Sequence, residues 1–178
     1  MKLKTLGAAF ACAIAFALPS FARANWRDDM WKRPVSVREG VTLRAYAHEK
    51  PRLMKVYVAK IDLSTPGIGF TTAERAGDWD EREAPRPRMA LGLADGGKTL
   101  VVVAVDGRQP KYSLGATFAD MRTLLRREGA SDAVSMDGGG SVSLVVFDRE
   151  SGVPVMLNRH PLKKVRANAI SLGVIFRN

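Results

Sequence analysis

The stretch TLVVVAVDGRQPKYSLGATFADMRTLLRREGASDAVSMDGGGS, residues 99–141, decides the fold. Its first seven residues are a continuous apolar run, mostly β-branched, which is typical of a strand buried on both faces. Thr117 then predicts a helix N-cap, with Asp120 in the capping-box position and Gly129 ending the helix. Residues 133–136 predict a second short strand. Strand, helix and strand in this order indicate a βαβ unit with two parallel strands and a right-handed crossover.

Strands are predicted on both sides of this stretch. The upstream sequence KVYVAKIDL at residues 55–63 alternates apolar and polar side chains, as a half-buried strand does. Further strands are predicted at 68–72, 89–93, 142–147, 153–157 and 167–176. Residues 76–87 are polar and contain prolines, which indicates a loop, and residues 25–50 give only an extended lead-in. The predicted fold class is therefore α+β, with a strand-rich mixed sheet, at least one βαβ unit, and the site at the carboxyl ends of its strands.

Length and composition are those of one globular domain. The chain has 178 residues, 46% of them hydrophobic and 26% charged. Its single cysteine, Cys12, excludes an internal disulfide framework and any cysteine-based zinc cluster, and its two histidines, His48 and His160, are far apart in sequence. The sequence indicates no cofactor and no dedicated metal site, and it leaves a divalent metal ion open.

The N-terminus has the three regions of a secretory signal peptide. Lys2 and Lys4 precede the uncharged apolar residues 6–18, and Ala22-Arg23-Ala24 supplies the small-x-small cleavage pattern. The apolar run is too short for a spanning helix, which needs about 20 residues. We therefore predict a signal peptide at residues 1–24 and a single domain at residues 25–178. The mature protein is expected to be periplasmic or secreted, without stable membrane insertion.

The positive charge is interpreted as a basic solvated surface that can attract anionic substrates, rather than as a nucleic-acid surface. The net charge is +10, and removal of the signal peptide deletes three basic residues and no acids, which leaves +7. The basic residues are spread along the chain and are not interleaved with aromatic residues, as nucleic-acid surfaces often are. On the predicted helix, Arg122, Arg126 and Arg127 group together near the C-terminal end, where the helix dipole favours cations.

Residues 92–99, GLADGGKT, satisfy the phosphate-loop pattern G-x-x-x-x-G-K-[ST]. That loop binds phosphate only when a helix follows, because the N–H groups at the start of the helix hold the anion. Here the next residues are the apolar strand that begins at Thr99. The sequence therefore predicts a hairpin turn instead of a nucleotide site.

Two acids follow the two strands of the predicted βαβ unit. Asp106 and Asp137 lie just beyond carboxyl ends that meet at one sheet edge, where open α/β sheets bind ligands. Three glycines follow Asp137, and such a run allows backbone to approach a ligand and to offer N–H groups to an anion. Arg108 is expected to face a bound anion. Arg166 and Asn168, before the last strand, are candidates for the same edge.

These residues resemble the phosphodiester glycosidase family. The similarity is carried by VVVAVDGRQPKYSLGATFADMRTLL at 101–125, GASDAVSMDGGGSVSLVV at 129–146, LNR at 157–159 and RANAISLGV at 166–174. An upstream string, VYVAKIDLSTPGIGFTTAERAGDW at 56–79, resembles the first strands of that family. The D-G-R-Q and D-G-G-G-S blocks are its most specific part.

The resemblance implies hydrolysis of a sugar 1-phosphodiester, with N-acetylglucosamine as the expected kind of sugar. It implies catalytic roles for Asp106, Asp137 and Arg108. The substrate-binding candidates, drawn from the resemblance and from the sheet edge, are Gln109, Ser113, Gly115, Thr117, Gly138, Gly139, Gly140, Ser141, Arg166 and Asn168. Which acid protonates the leaving phosphate stays open. A carboxylate separation of about 5–5.5 Å suits a retaining pair, and about 6.5–9.5 Å an inverting pair.

The chain departs from the family pattern in its middle. Family members carry a long central segment with an Asn-Gly-x-Phe-Phe-like motif, whereas this sequence runs directly from residue 81 to residue 86 without one. Two functions remain open. The first is an exported hydrolase that acts on a sugar phosphodiester or an anionic glycan. The second is a non-catalytic or vestigial domain of the same family that binds glycan or phosphate.

Overall fold

A computed structural model gives the structure of the protein. It describes residues 12–18, 26–49, 52–65, 68–73, 84–148, 153–161, 165 and 171–176. The strands are β1 (Cys12–Leu18), β2 (Val35–Arg38), β3 (Val41–His48), β4 (Met54–Asp62), β5 (Ile68–Ala73), β6 (Arg88–Ala94), β7 (Thr99–Val105), β8 (Ala130–Ser135), β9 (Val142–Asp148), β10 (Pro154–Met156) and β11 (Ser171–Phe176). The helices are α1 (Trp26–Asp29) and α2 (Phe118–Arg127).

The described strands form two sheets. The six-stranded sheet has the order β2-β3-β4-β7-β6-β8, and all its neighbouring strands are antiparallel. The five-stranded sheet has the order β10-β9-β1-β11-β5. In this second sheet β1 pairs in parallel with both β9 and β11, and the remaining pairs are antiparallel.

The six-stranded sheet is buried on both faces. One face packs against the five-stranded sheet, with Leu43 and Val102 meeting Leu144 and Val174 in one apolar cluster. The other face packs against α2, whose Leu124 and Leu125 join a second cluster. The alternation of side chains along a strand divides TLVVVAV between these two clusters. The prediction of a strand buried on both faces is therefore confirmed for β7.

The strand-rich architecture is confirmed, but the expected βαβ unit of neighbouring parallel strands does not form. The structure is mostly β, and β6 lies between β7 and β8 and is antiparallel to both. β7 and β8 consequently point in the same direction without touching as a pair. The sequence order hid this arrangement, because β6 precedes β7 in the chain and inserts beside it through a hairpin. The carboxyl ends of β7 and β8 still share one edge of the sheet.

Local signals predicted α2 and two hairpins well. The Thr117 side chain accepts the N–H of Asp120, whose carboxylate accepts the N–H of Thr117, and these two bonds form the capping box. Gly129 follows the helix with φ of +92°. The turn between β6 and β7 contains the pattern that resembles a phosphate loop, and a strand follows it as predicted. β9 and β10 form the predicted antiparallel pair.

The N-terminal region contains structure that the sequence did not predict. Within the lead-in, the structure shows α1 and the antiparallel pair of β2 and β3. Within the predicted signal peptide, Cys12–Leu18 forms β1 and lies between β9 and β11. Cleavage after Ala24 and export remain predictions. In the described part of the chain, no helix has the length and apolar character needed to cross a membrane.

Candidate active site

The candidate site lies where β7 and β8 end. Asp106 follows β7 directly, and Asp137 follows β8 by two residues. Pro87, just before β6, fills the space between the two loops. A Cβ added to Gly107 would lie 2.5 Å from the Pro87 nitrogen, and one added to Gly138 would lie 3.0 Å from the Pro87 carbonyl oxygen. Both glycines are therefore required by close backbone approach, which holds the two acid-bearing loops on either side of the same residue.

Arg108 lies against the glycine loop that follows Asp137. A Cβ added to Gly139 would lie 3.4–3.6 Å from the atoms of the Arg108 guanidinium group. Gly139 has φ of +65°, and Arg108 itself has φ of +58°, a left-handed conformation that is uncommon outside glycine. Such strain occurs often at functional sites. The contact with Gly139 shows that the structure brings together Arg108 and the loop of Asp137, as the sequence predicts.

Asp106 is fully buried, at 0% exposure, and both of its carboxylate oxygens accept hydrogen bonds. Oδ1 accepts from Asn158 Nδ2 at 3.0 Å, and Oδ2 accepts from the N–H of Arg159 at 2.9 Å. Burial raises the pKa of Asp106 to about 6, although these hydrogen bonds act in the opposite direction. Asp106 thus fastens the segment after β10 to the end of β7.

Two tyrosines complete the surroundings of Asp106. The hydroxyls of Tyr57 and Tyr112 are hydrogen bonded to each other at 2.7 Å. Both also lower the pKa of Asp106 by hydrogen bonding. Burial raises the pKa values of both phenols, so they stay protonated and able to donate near neutral pH. Neither tyrosine was predicted as a site residue. In the sequence, Tyr57 is only one apolar position of the alternating strand β4.

The segment after β10 connects the two acid-bearing loops. Asn158 donates to Val142 O at 3.1 Å and accepts the N–H of Leu144 at 2.7 Å, so its amide is tied to β9 as well as to Asp106. His160 Nε2 lies 2.7 Å from Gly140 O. Since a carbonyl oxygen only accepts, this Nε2 carries the proton. Residues 157–159 were noted only as a point of resemblance, and no site role was predicted for His160, because its proximity to Gly140 depends on the tertiary fold.

The loop of Asp137 is a tight turn with most of its bonds turned inward. Asp137 is partly exposed, and its Oδ1 accepts the N–H of Gly138 at 2.8 Å. The N–H of Gly139 donates to Pro87 O at 2.8 Å, and that of Ser141 donates to Gly138 O at 3.3 Å. These three N–H groups are already bonded within the protein. Among the described residues, the guanidinium of Arg108 is a cationic group that lies against this loop. Glycine is favoured at Gly138 by the close approach of Pro87 O and at Gly139 by its positive φ.

Several other predicted residues support the site from a distance. Ser113 is fully buried, and its Oγ donates to the backbone oxygen of Asp106. Gly115 has φ of +110° and packs on the backbone of Arg86, and Thr117 caps α2. Gln109 Nε2 donates to Arg159 O at 2.9 Å. Arg166 and Asn168 lie outside the described residues, so their predicted roles stay predictions.

The side chains at this edge suit anion binding and proton transfer. Within the described ranges, no group of three or more His, Cys, Asp or Glu side chains is arranged to hold a metal ion. The arrangement can bind an anion through Arg108 and transfer a proton through Asp137, which is accessible to solvent. A guanidinium group offers a planar fork of donors that suits phosphate oxygens.

Comparison with known proteins finds a matching family and a curated relative. Residues 56–176, about two thirds of the chain, match the sequence profile of the family described as phosphodiester glycosidase. Among curated proteins, an uncharacterized SPbeta prophage-derived protein of Bacillus subtilis (strain 168), YomE, is 41% identical over 68 residues. That match covers 38% of this chain and 10% of the relative, so the chain spans only a small part of the relative's length.

Proposed function

Because the chain belongs to the phosphodiester glycosidase family, we propose that it hydrolyses a sugar 1-phosphodiester. The sugar would be of the N-acetylglucosamine type, and the reaction would release it and leave a phosphate monoester on the other group. The observation that carries the proposal is the position of the Arg108 guanidinium against Gly139, in the loop that directly follows Asp137. A cation and a partly exposed acid at one sheet edge are the minimum required to bind a phosphodiester and to protonate its leaving oxygen.

In this proposal Arg108 binds the phosphate and Asp137 transfers the proton. Arg108 would stabilise the negative charge that grows on the phosphate oxygens as the bond to the sugar breaks. Asp137 is suited to meet substrate, because it is partly exposed and its described side-chain hydrogen bond is to the adjacent backbone N–H of Gly138.

Asp106 would act through the residues that it holds. Its two oxygens accept from Asn158 and Arg159, and its side chain is fully buried. We therefore assign it a positioning role instead of direct contact with substrate. Its loss would displace the segment that reaches Gly140 through His160.

The chain's shortened middle favours one alternative, a domain that binds the same ligand without turnover. The sequence runs from residue 81 to residue 86 without the central segment expected of the family. A missing wall leaves reacting groups less desolvated and less well placed, which lowers rate more than binding. The proposed cellular site is the periplasm or the exterior, on the basis of the predicted signal peptide at residues 1–24. Export would be tested by sequencing the N-terminus of protein recovered outside the cytoplasm.

Sugar release from a defined substrate tests the proposed reaction. The full chain is incubated with an α-N-acetylglucosamine 1-phosphodiester, and the free sugar is measured. We expect release that falls about 10²–10⁴-fold in the Asp137→Asn variant, the range typical of a lost general acid. Asp132→Asn is the matched control, because Asp132 is an exposed acid on β8. Binding of the diester without sugar release by a folded protein would support the non-catalytic alternative.

A further inference from the structure

A groove lies between α2 and β8, on the helix-covered side of the six-stranded sheet. Its volume is about 360 Å³, within the range of small-molecule pockets. Its apolar lining includes Ala90, Leu125 and Ala130. Because β8 is the last strand of its sheet, the groove opens along the sheet edge.

Two arginines of α2 line this groove. Arg122 and Arg126 are four residues apart, so they lie on one helix face about 6 Å apart along the axis. Both are exposed, and among the described residues neither takes part in an ion pair. The next arginine differs. Arg127 lies over the ring of Tyr46 at 5.3 Å, away from the groove.

One end of the groove is close in sequence to the candidate active site, although Asp106, Arg108 and Asp137 do not line it. Ser135 lines it and lies two residues before Asp137, and Phe118 lines it at the start of α2. Arg88, at the start of β6, packs over the Phe118 ring at 3.7 Å. From this end the groove follows α2 toward Arg126. The helical lining runs from Phe118 to Arg126, which spans about 12 Å along the helix axis and is longer than one sugar phosphate.

We propose that this α2–β8 groove holds the neighbouring repeats of a polymeric substrate whose sugars are joined through 1-phosphodiesters. The inference rests on the proposed function and specifies its substrate class. Arg122 and Arg126 would each meet a backbone phosphate of the polymer, because exposed cations without an ion-pair partner complement a regularly spaced anion. The exposed apolar lining contributed by Ala133 and Val134 would contact the C–H faces of the sugars.

Equilibrium binding tests the groove independently of catalysis. The probe is a polymer of α-N-acetylglucosamine 1-phosphate, and the protein is the full chain carrying Asp137→Asn, so that turnover plays no part. We expect the added pair Arg122→Gln and Arg126→Gln to weaken binding of the polymer about tenfold at moderate salt. The pair Arg44→Gln and Arg127→Gln is the matched control, since it removes the same charge around Tyr46. That control should change the affinity less than about twofold.

A second measurement uses the active chain and a single-unit α-N-acetylglucosamine 1-phosphodiester. The Arg122 and Arg126 substitutions should leave kcat/KM for this small substrate within about twofold of the parent, while KM for the polymer rises about tenfold. Equal weakening of polymer binding by both arginine pairs, or no weakening by either, would overturn the proposal that the groove binds the polymer. If no substrate is cleaved, the proposed function fails. The binding experiment still shows whether the groove binds the polymer.

Discussion

The two aspartates at the edge of the candidate active site are each followed by a glycine, but their environments are opposite. Asp106 is fully buried, and its oxygens accept from Asn158 and from the backbone of Arg159. Asp137 is partly exposed and accepts from the adjacent N–H of Gly138. Burial raises the pKa of Asp106 to about 6. One acid is part of the scaffold, whereas the other is open to a ligand.

This difference separates a holding residue, whose hydrogen bonds join segments that are distant in the chain, from Asp137, the residue that we propose to react. Asp106 accepts from residues more than fifty positions away, so its contacts join elements. Asp137 bonds to its own neighbour, so its contact costs little to rearrange. Loss of a holding residue is expected to reduce stability, and loss of a reacting residue is expected to reduce rate.

The largest expected effect comes from truncating each aspartate in turn. Asp106→Ala should lower the free energy of unfolding by about 4 kcal/mol, because the buried Asn158 amide and the partly buried N–H of Arg159 lose their acceptor. Asp137→Ala should lower it by less than about 1 kcal/mol. Chemical denaturation of both variants at pH 5 measures the contrast. Equal losses of stability would break the comparison.

The pH dependence of stability sharpens the comparison. The pKa of Asp106 is about 6 in the folded chain against an ordinary 3.8, so between these values the folded state binds the proton more tightly. Raising the pH from 4 to 7 should therefore remove about 2–3 kcal/mol of stability attributable to Asp106.

Asp106→Asn lacks this component. The difference in unfolding free energy between the parent chain and this variant should fall as the pH rises. A difference that stays constant from pH 4 to pH 7 would contradict the raised pKa.

The smallest expected effect concerns Gln109, which holds Arg159 from the other side. Its Nε2 donates to Arg159 O, while Asp106 accepts the N–H of the same residue. Gln109→Ala should cost about 0.5 kcal/mol of stability, because a solvent-exposed neutral hydrogen bond is lost without leaving a buried charge. Thermal unfolding beside Asp106→Ala checks the order. A loss as large as that of Asp106→Ala would show that the segment after β10 depends on both contacts equally.

The sequence predicted the elements that local rules control. The β-branched run gave β7, and the Thr117 and Asp120 capping box gave the start of α2. Arg108 and the loop of Asp137 were predicted to share an edge, and they do. Each of these inferences needed only periodicity, capping or the direction of two strands.

The rest depended on pairing between distant segments. The insertion of β6 between β7 and β8 is a choice among strand partners that periodicity does not encode. The roles of Tyr57 and His160 arise from contacts with residues 55 and 20 positions away. Burial of Asp106 was likewise invisible, since Asp-Gly after a strand is equally typical of an exposed turn.

The position of β1 bears on how the protein should be prepared and when it folds. Cys12–Leu18 pairs with β9 on one side and with β11 on the other. If the leader is removed after Ala24, both neighbours lose a ladder of backbone hydrogen bonds, and two strand edges face each other across a gap one strand wide. A protein produced from Met1 would then contain β1 in its five-stranded sheet, whereas a protein produced from Asn25 would lack it. Whether the leader is removed before or after folding would therefore determine which sheet forms. The stabilities of purified samples of both lengths should be compared side by side.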